Sequence, residues 1–156
     1  MIKLSPIQQA FWDVYVSKLP KHKKPAEVFV EASFAGNKDI TDELINLYLS
    51  GQKTAGSSLV ADFEACGDPL PQIGNYWIIL DSQEMPKCLV RTNKVVFNKF
   101  KDVPKEIAQA EGEGDLSLEY WKNTHSEFYK PFLAKWGVDN LDEAMVVTEY
   151  FDVVFP

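Results

Sequence analysis

A chain of 156 residues can bury one core of ordinary size but hardly two, and its 46% hydrophobic and 13% aromatic content excludes a disordered polymer. A net charge of −7 excludes wholesale wrapping of a nucleic-acid backbone, which needs clustered lysine and arginine, and leaves only a local contact. No apolar run reaches the roughly 18 residues of a membrane helix, and the opening MIKLSPIQQAFW has no leader pattern, so no membrane partner and a cytoplasmic location are expected.

In chain order, SPIQQAFWDVYVSKL predicts an amphipathic helix with Ser5 as N-cap, Pro6 in the first turn, and Ile7, Ala10, Phe11, Val14 and Leu19 near one face. KHKKP ends it, and Lys21, Lys23 and Lys24 read as a solvated loop able to touch an anion. ITDELINLYLSG predicts a second helix: Thr41 as N-cap, Asp42 and Glu43 near the positive start, Ile40 stapled to Ile45, and Gly51 as a left-handed cap. A strand is expected next over SSLVADFEA, near residues 58 to 64, which places Lys53 and Thr54 in the connection before it. NYWIILD, KCLVRTNKVVF and AMVVTEYFDVVF predict strands near 76 to 80, 88 to 97 and 145 to 155, joined through turn residues in GDPLPQIGN and DSQEMPK. These would form one curved sheet or barrel with helices outside. Before the last strand, Pro104 opens a helix that Gly112 and Gly114 interrupt. Asp115 caps another, which aligns Leu118, Trp121, His125, Phe128 and Phe132 until Pro131 kinks or splits it.

Cys66 and Cys88 fit no CxxC spacing, and His22 and His125 lie far apart, so neither a metal site nor a cofactor is expected. His125, in an apolar stripe, reads as a packed and hydrogen-bonded histidine. In the last strand, Met145, Val147, Glu149, Phe151, Val153 and Phe155 share a face, and Glu149 is the odd member. A carboxylate there must pair with a cation, take up a proton, or stand on a wet face; Lys53 or Arg91 is its natural partner. Arg91, the only arginine, offers a fork for phosphate or carboxylate, or stands on the surface. Sequence physics alone leaves Lys53 a solvated lysine on a connector.

The string SFAGNKDITDELINLYLSGQKTAGSSL, with EGEGDLSLEYWKNTH and VVTEYFDVV downstream, resembles the ASCH-domain family and its branch of small stand-alone bacterial proteins. The likeness is most specific at G-x-K-T (Gly51, Lys53, Thr54), supported by A-x-A-E-G at Ala108 to Gly112 and W-x-x-x-H at Trp121 and His125. It spans residues 27 to 156, leaving residues 1 to 26 as a flanking helix and loop that completes one globular unit. It implies an α+β, PUA-like fold: a small, mostly antiparallel β-barrel with flanking helices and a cleft lined by Lys53. The ligand implied is RNA, a nucleotide or a modified nucleoside; joined to the residue readings above, this gives a cleft lined by Lys53, Thr54, Ser57 and Glu149, with Lys53, Arg91 and Glu149 as the expected binding residues. One branch of the family is similar to hydrolases of acetylated cytidine and another is linked to ribonuclease activity. For the hydrolase, the resemblance implies a threonine nucleophile three residues after the lysine, the lysine as its activator, and an assisting glutamate. Lys53 and Glu111 match the last two, but Gly56 stands at the nucleophile position, leaving Thr54 or Ser57 to substitute. A protein-interaction module using the first helix is the third class of reading.

Overall fold

The computed structural model describes residues 3–25 and 29–156, so the expected boundary at residues 26 and 27 lies outside the described residues. The helices are α1 (Pro6–Ser17), α2 (Thr41–Ser50), α3 (Val60–Cys66), α4 (Lys105–Glu111) and α5 (Leu118–Tyr129). The strands are β1 (Val30–Phe34), β2 (Ala55–Leu59), β3 (Tyr76–Leu80), β4 (Pro86–Lys99) and β5 (Met145–Phe155). The strand order is β1-β3-β4-β5-β2. β1 runs parallel to β3, while β3–β4 and β2–β5 are antiparallel, which makes this a mixed sheet in an α+β fold.

The chain divides into two compact units, and β4 and β5 each contribute a segment to both. The first comprises Met1–Gly51, Ile73–Asn93 and Phe151–Pro156. Its α1 starts on a reciprocal capping box: Ser5 Oγ accepts from the Gln8 N–H (3.3 Å), and Gln8 Oε1 accepts from the Ser5 N–H (2.9 Å). The apolar face of α1 presents Phe11, Trp12 and Tyr15 to Tyr76, Leu89 and Phe155. A second cluster joins Leu44, Ile45 and Tyr48 of α2 to Ile79, Cys88, Val90 and Phe151. Cys88 is therefore a core residue, and burial pushes its thiol up to about 12. Thr41 is a correction. It is the first residue of α2 rather than its cap, because its hydroxyl is engaged across the fold: it accepts from the Ala35 N–H (2.9 Å) and donates to the Leu80 carbonyl (2.6 Å). Asn37 serves the helix start in its place, its side chain accepting from the Asp39 and Ile40 N–H groups.

The second unit comprises Gln52–Gln72 and Lys94–Tyr150. Its core gathers Leu59, Val146, Phe100, Val103, Ile107, Ala108, Trp121 and Tyr129. Each large apolar side chain sealed there stabilises the unit by roughly 1.5–3 kcal/mol relative to exposure. The strand expected near 58 to 64 is corrected: β2 begins at Ala55 and stops at Leu59, and Val60–Cys66 is helical. Gly67, with φ +71°, closes that helix in the left-handed conformation, and its N–H bonds back to the Glu64 carbonyl. Asp115 is a second cap corrected: Ser117 caps α5 by accepting from the Tyr120 N–H (3.0 Å), while Asp115 accepts from the Ser117 N–H (2.9 Å). After α5, Pro131 sits in a 3-10 turn, Lys130–Phe132, so the helix splits there. The central residues of β5 are covered on both faces, with Val146, Val147 and Thr148 all buried, whereas Met145 and Val153 at its ends are exposed.

Candidate functional site: the Lys53 cluster

The Lys53 loop lies wholly in the second unit, and residues 110 to 112 hold it. The Thr54 N–H and hydroxyl both donate to the Ala110 carbonyl (2.7 and 3.2 Å), and the Gln52 amide donates to the Gly112 carbonyl (2.7 Å). Gly112 ends α4 with φ +67°, and a Cβ there would stand 2.1 Å from the Gln52 carbonyl oxygen. Only glycine permits both that backbone conformation and that approach. The glycine sets the height of the loop over the end of α4, and with it the place of Lys53.

Lys53 is buried, 4% exposed, and its ammonium lies 3.2 Å from Glu111 Oε1 and 2.9 Å from Glu113 Oε2, while also donating to the Glu111 carbonyl (3.4 Å). Glu111 is as deeply buried as its partner. The Trp121 indole N–H donates to Glu111 Oε2, and His125 Nε2 faces Oε1 at 3.4 Å. Burial by itself would raise the Glu111 carboxyl, but His125, Lys53 and the Trp121 donor reverse that and hold it at about 2, well below the carboxylate range. Glu111 is an ionised carboxylate at 2% exposure. A buried charge of this kind persists only where every lone pair has a partner, and here the partners come from the loop and from one face of α5.

The four-residue spacing of Trp121 and His125 puts both on that face. Their rings stack at 4.1 Å with 21° between planes, and His125 Nδ1 meets the Trp121 carbonyl at 2.9 Å. His125 is packed and hydrogen-bonded, as expected, but it also faces the ionised carboxylate. Beside the cluster opens a small cleft, with about 210 Å³ of empty space including its mouth, lined by Glu111, Glu113, Tyr120, Trp121, Thr124 and His125. Sequence reading missed Glu113, Tyr120 and Thr124. The second glutamate of EGEG was a visible signal for the first of these, since a chain turning at Gly112 can aim both carboxylates at one cation.

The other sequence-derived residues sit on β2, β4, β5 and the loop before β2. Ser57 is in β2, paired with Thr148 of β5, and the two hydroxyls share a 2.8 Å hydrogen bond; Thr148 is buried. The Ser57 carbonyl accepts from the Tyr129 hydroxyl (3.2 Å), whose pKa burial holds well above its ordinary value. Thr54 is exposed. Gly56 lies opposite Glu149 in the β2–β5 ladder, and Glu149 is half-buried. Arg91 belongs to the first unit, exposed on β4 opposite Tyr76, with its guanidinium 5.9 Å from that ring. Among the described residues no group of three histidine, cysteine, aspartate or glutamate side chains is placed to hold a metal ion. No helix there is long and apolar enough to cross a membrane.

The chain matches none of the curated proteins. A family model described as the ASCH domain matches residues 31–155. Among solved structures, the ASCH domain from Lactobacillus crispatus JV V101 has a TM-score of 0.90 at 25% identity, covering 98% of this chain and 97% of its own. A protein from Enterococcus faecalis V583 has a TM-score of 0.77 at 31% identity, covering 93% of this chain and 86% of its own. With the family model spanning most of its length and two solved relatives sharing its fold, this protein is a member of the ASCH domain family.

Proposed function

We propose that the cleft beside Lys53 binds the base of a nucleoside or of a short single-stranded RNA. Membership of a family generally linked to RNA binding supports this reading, and one observation carries it. An ionised Glu111, paired with Lys53 and hydrogen-bonded by the Trp121 indole, lines a cleft whose rim carries the half-buried Glu113 and an exposed tyrosine, Tyr120. Such a rim offers hydrogen-bond partners for a base edge and a ring for its face. The cleft is shallow, its roughly 210 Å³ including open solvent at the mouth, so it offers a surface against which a base edge docks and not a chamber that encloses a nucleotide. Two carboxylates around one lysine also disfavour a phosphate inside, so the sugar and phosphate stay at the mouth.

Several features support recognition over hydrolysis. The nucleophile position implied by the resemblance is Gly56. The Thr54 hydroxyl is given to the Ala110 carbonyl, and the Ser57 hydroxyl is shared with Thr148. The Lys53 ammonium is shared between two carboxylates, and an ammonium so paired makes a poor base. The test is a calorimetric titration with nucleosides and short RNAs, together with a product assay on acetylated cytidine. Saturable binding weakened by about 1–3 kcal/mol in Lys53→Ala, with no product, is the expected result. Turnover by the wild type that Lys53→Ala abolishes would overturn it in favour of a hydrolase.

A further inference from the structure

The exposed side of α5 continues beyond the cleft. Tyr120, Thr124 and Phe128 follow one another at four-residue spacing, so they form one stripe; Tyr120 and Thr124 line the cleft, and Tyr120 and Phe128 are 39% and 38% exposed. One further turn of helix carries the stripe about 6 Å from Thr124, at the cleft, to Phe128. Past the helix, Phe132, 41% exposed, stacks on Trp136 with ring centres 5.1 Å apart and 17° between planes. Ring contacts connect the two ends: Phe128 meets Tyr129 at 6.0 Å, and Tyr129 meets Trp136 at 6.2 Å. Lys130 and Lys135 flank Phe132 and Trp136 in the chain, and neither makes an ion pair among the described residues.

We propose that this stripe is a stacking track for single-stranded RNA, on which the nucleotides next to the one in the cleft lay their bases against Phe128 and then Phe132. The inference rests on the base-binding reading of the cleft and extends it to a partner several nucleotides long. Two observations commit the face to RNA: the stripe is continuous with the cleft through Tyr120 and Thr124, and the segment that follows α5 adds two exposed lysines, Lys130 and Lys135. A flat aromatic face held by a second aromatic ring stacks any base, because every base has a π-face, so the track is tolerant of sequence. The exposed Glu119 and Glu127 on the same helix keep phosphates from clustering along it. Affinity then comes mainly from stacking. With only Lys130 and Lys135 meeting phosphates, the logarithm of affinity against that of salt should fall with a slope of about −1.4, far shallower than for a basic groove.

The experiment compares each of the four nucleosides with the matching homo-oligonucleotide of four residues, by calorimetry, in the wild type and in Phe128→Ala/Phe132→Ala. The oligonucleotide should bind the wild type at least about tenfold more tightly than the nucleoside. The double variant should lose that gain while keeping its nucleoside affinity and a cooperative melt, its midpoint lowered by the lost ring contacts, and Phe128→Trp/Phe132→Trp should restore the gain. A length gain that persists in the alanine variant, or nucleoside affinity that falls in parallel with it, overturns the track. So does a wild-type dimer in sedimentation equilibrium that the alanine variant abolishes, since a second copy would then cover the face. Oligonucleotide binding that depends on Phe128 and Phe132, with no nucleoside binding, supports the track and refutes the cleft reading. Absence of any binding refutes both.

Discussion

Replacing Glu111 with glutamine removes the charge that Lys53, Trp121 and His125 converge on while keeping the volume of the side chain. In the folded protein the carboxyl is held at about 2 rather than its ordinary 4.5, and at about 1.36 kcal/mol per pH unit this corresponds to roughly 3 kcal/mol of stability. The folded form binds fewer protons than the unfolded form between those two values. The contribution is therefore complete above about pH 4.5 and is lost as the pH falls towards about 2. Lys53 keeps Glu113 at 2.9 Å in the variant, so the loss at neutral pH should sit near the lower end of the 3–5 kcal/mol typical of a broken buried pair. The assay is urea unfolding of both proteins at several pH values from 7 down to 2.5. The wild type should be more stable by about 3 kcal/mol at pH 7, with the difference shrinking steadily below pH 4.5. Parallel curves, the same difference at every pH, would show that Glu111 is not the low-lying carboxyl described here and would refute the reasoning.

Other expectations follow from the same geometry. Gly112→Ala should destabilise the protein by more than the roughly 1 kcal/mol of an ordinary glycine change, because its Cβ would overlap the Gln52 carbonyl oxygen at 2.1 Å; a thermal melt with wild-type midpoint would contradict this. Ser5→Ala breaks the capping box of α1 and should cost about 1 kcal/mol, while leaving ligand affinity in the other unit unchanged. Tyr129→Phe removes the hydroxyl that donates to the Ser57 carbonyl and should cost about 1 kcal/mol by denaturant titration, the usual net contribution of one hydrogen bond.

The elements set by local chemistry were legible. Ser5 and Pro6 announce the start of α1, Gly51 the end of α2, and Gly112 the end of α4, because each acts on backbone groups within a turn of itself. The turn from β2 into α3 was not, since Leu59, Ala61 and Phe63 satisfy a two-residue period over a stretch too short for the three-residue spacing of Val60 and Phe63 to signal a helix. Gly67 was the discriminating signal, a helix cap where a strand needs none. Thr41 misled because its hydroxyl answers to Leu80, 39 positions away, and no local rule carries that information. The Lys53 loop was found through a resemblance. Its ion pairs reach Glu111 and Glu113 across 58 and 60 positions, and alternation in β5 drew attention to Glu149, which faces Gly56 in the ladder. Exposure was equally hidden: a heptad-like row placed Phe128 and Phe132 with Trp121, yet only Trp121 is buried.

The central claim is that a base enters the cleft over Glu111, and the indole N–H of Trp121 reports on it directly. Of the four tryptophans, Trp121 alone lines the cleft and donates to Glu111, so its indole proton resonance should stand apart from those of Trp12, Trp77 and Trp136. A nucleoside titration followed by proton–nitrogen correlation spectra, with assignment by Trp121→Phe, should shift the Trp121 resonance saturably while Trp12 and Trp77 stay in place. A bound ligand that leaves the Trp121 signal unmoved and displaces another indole would contradict the account.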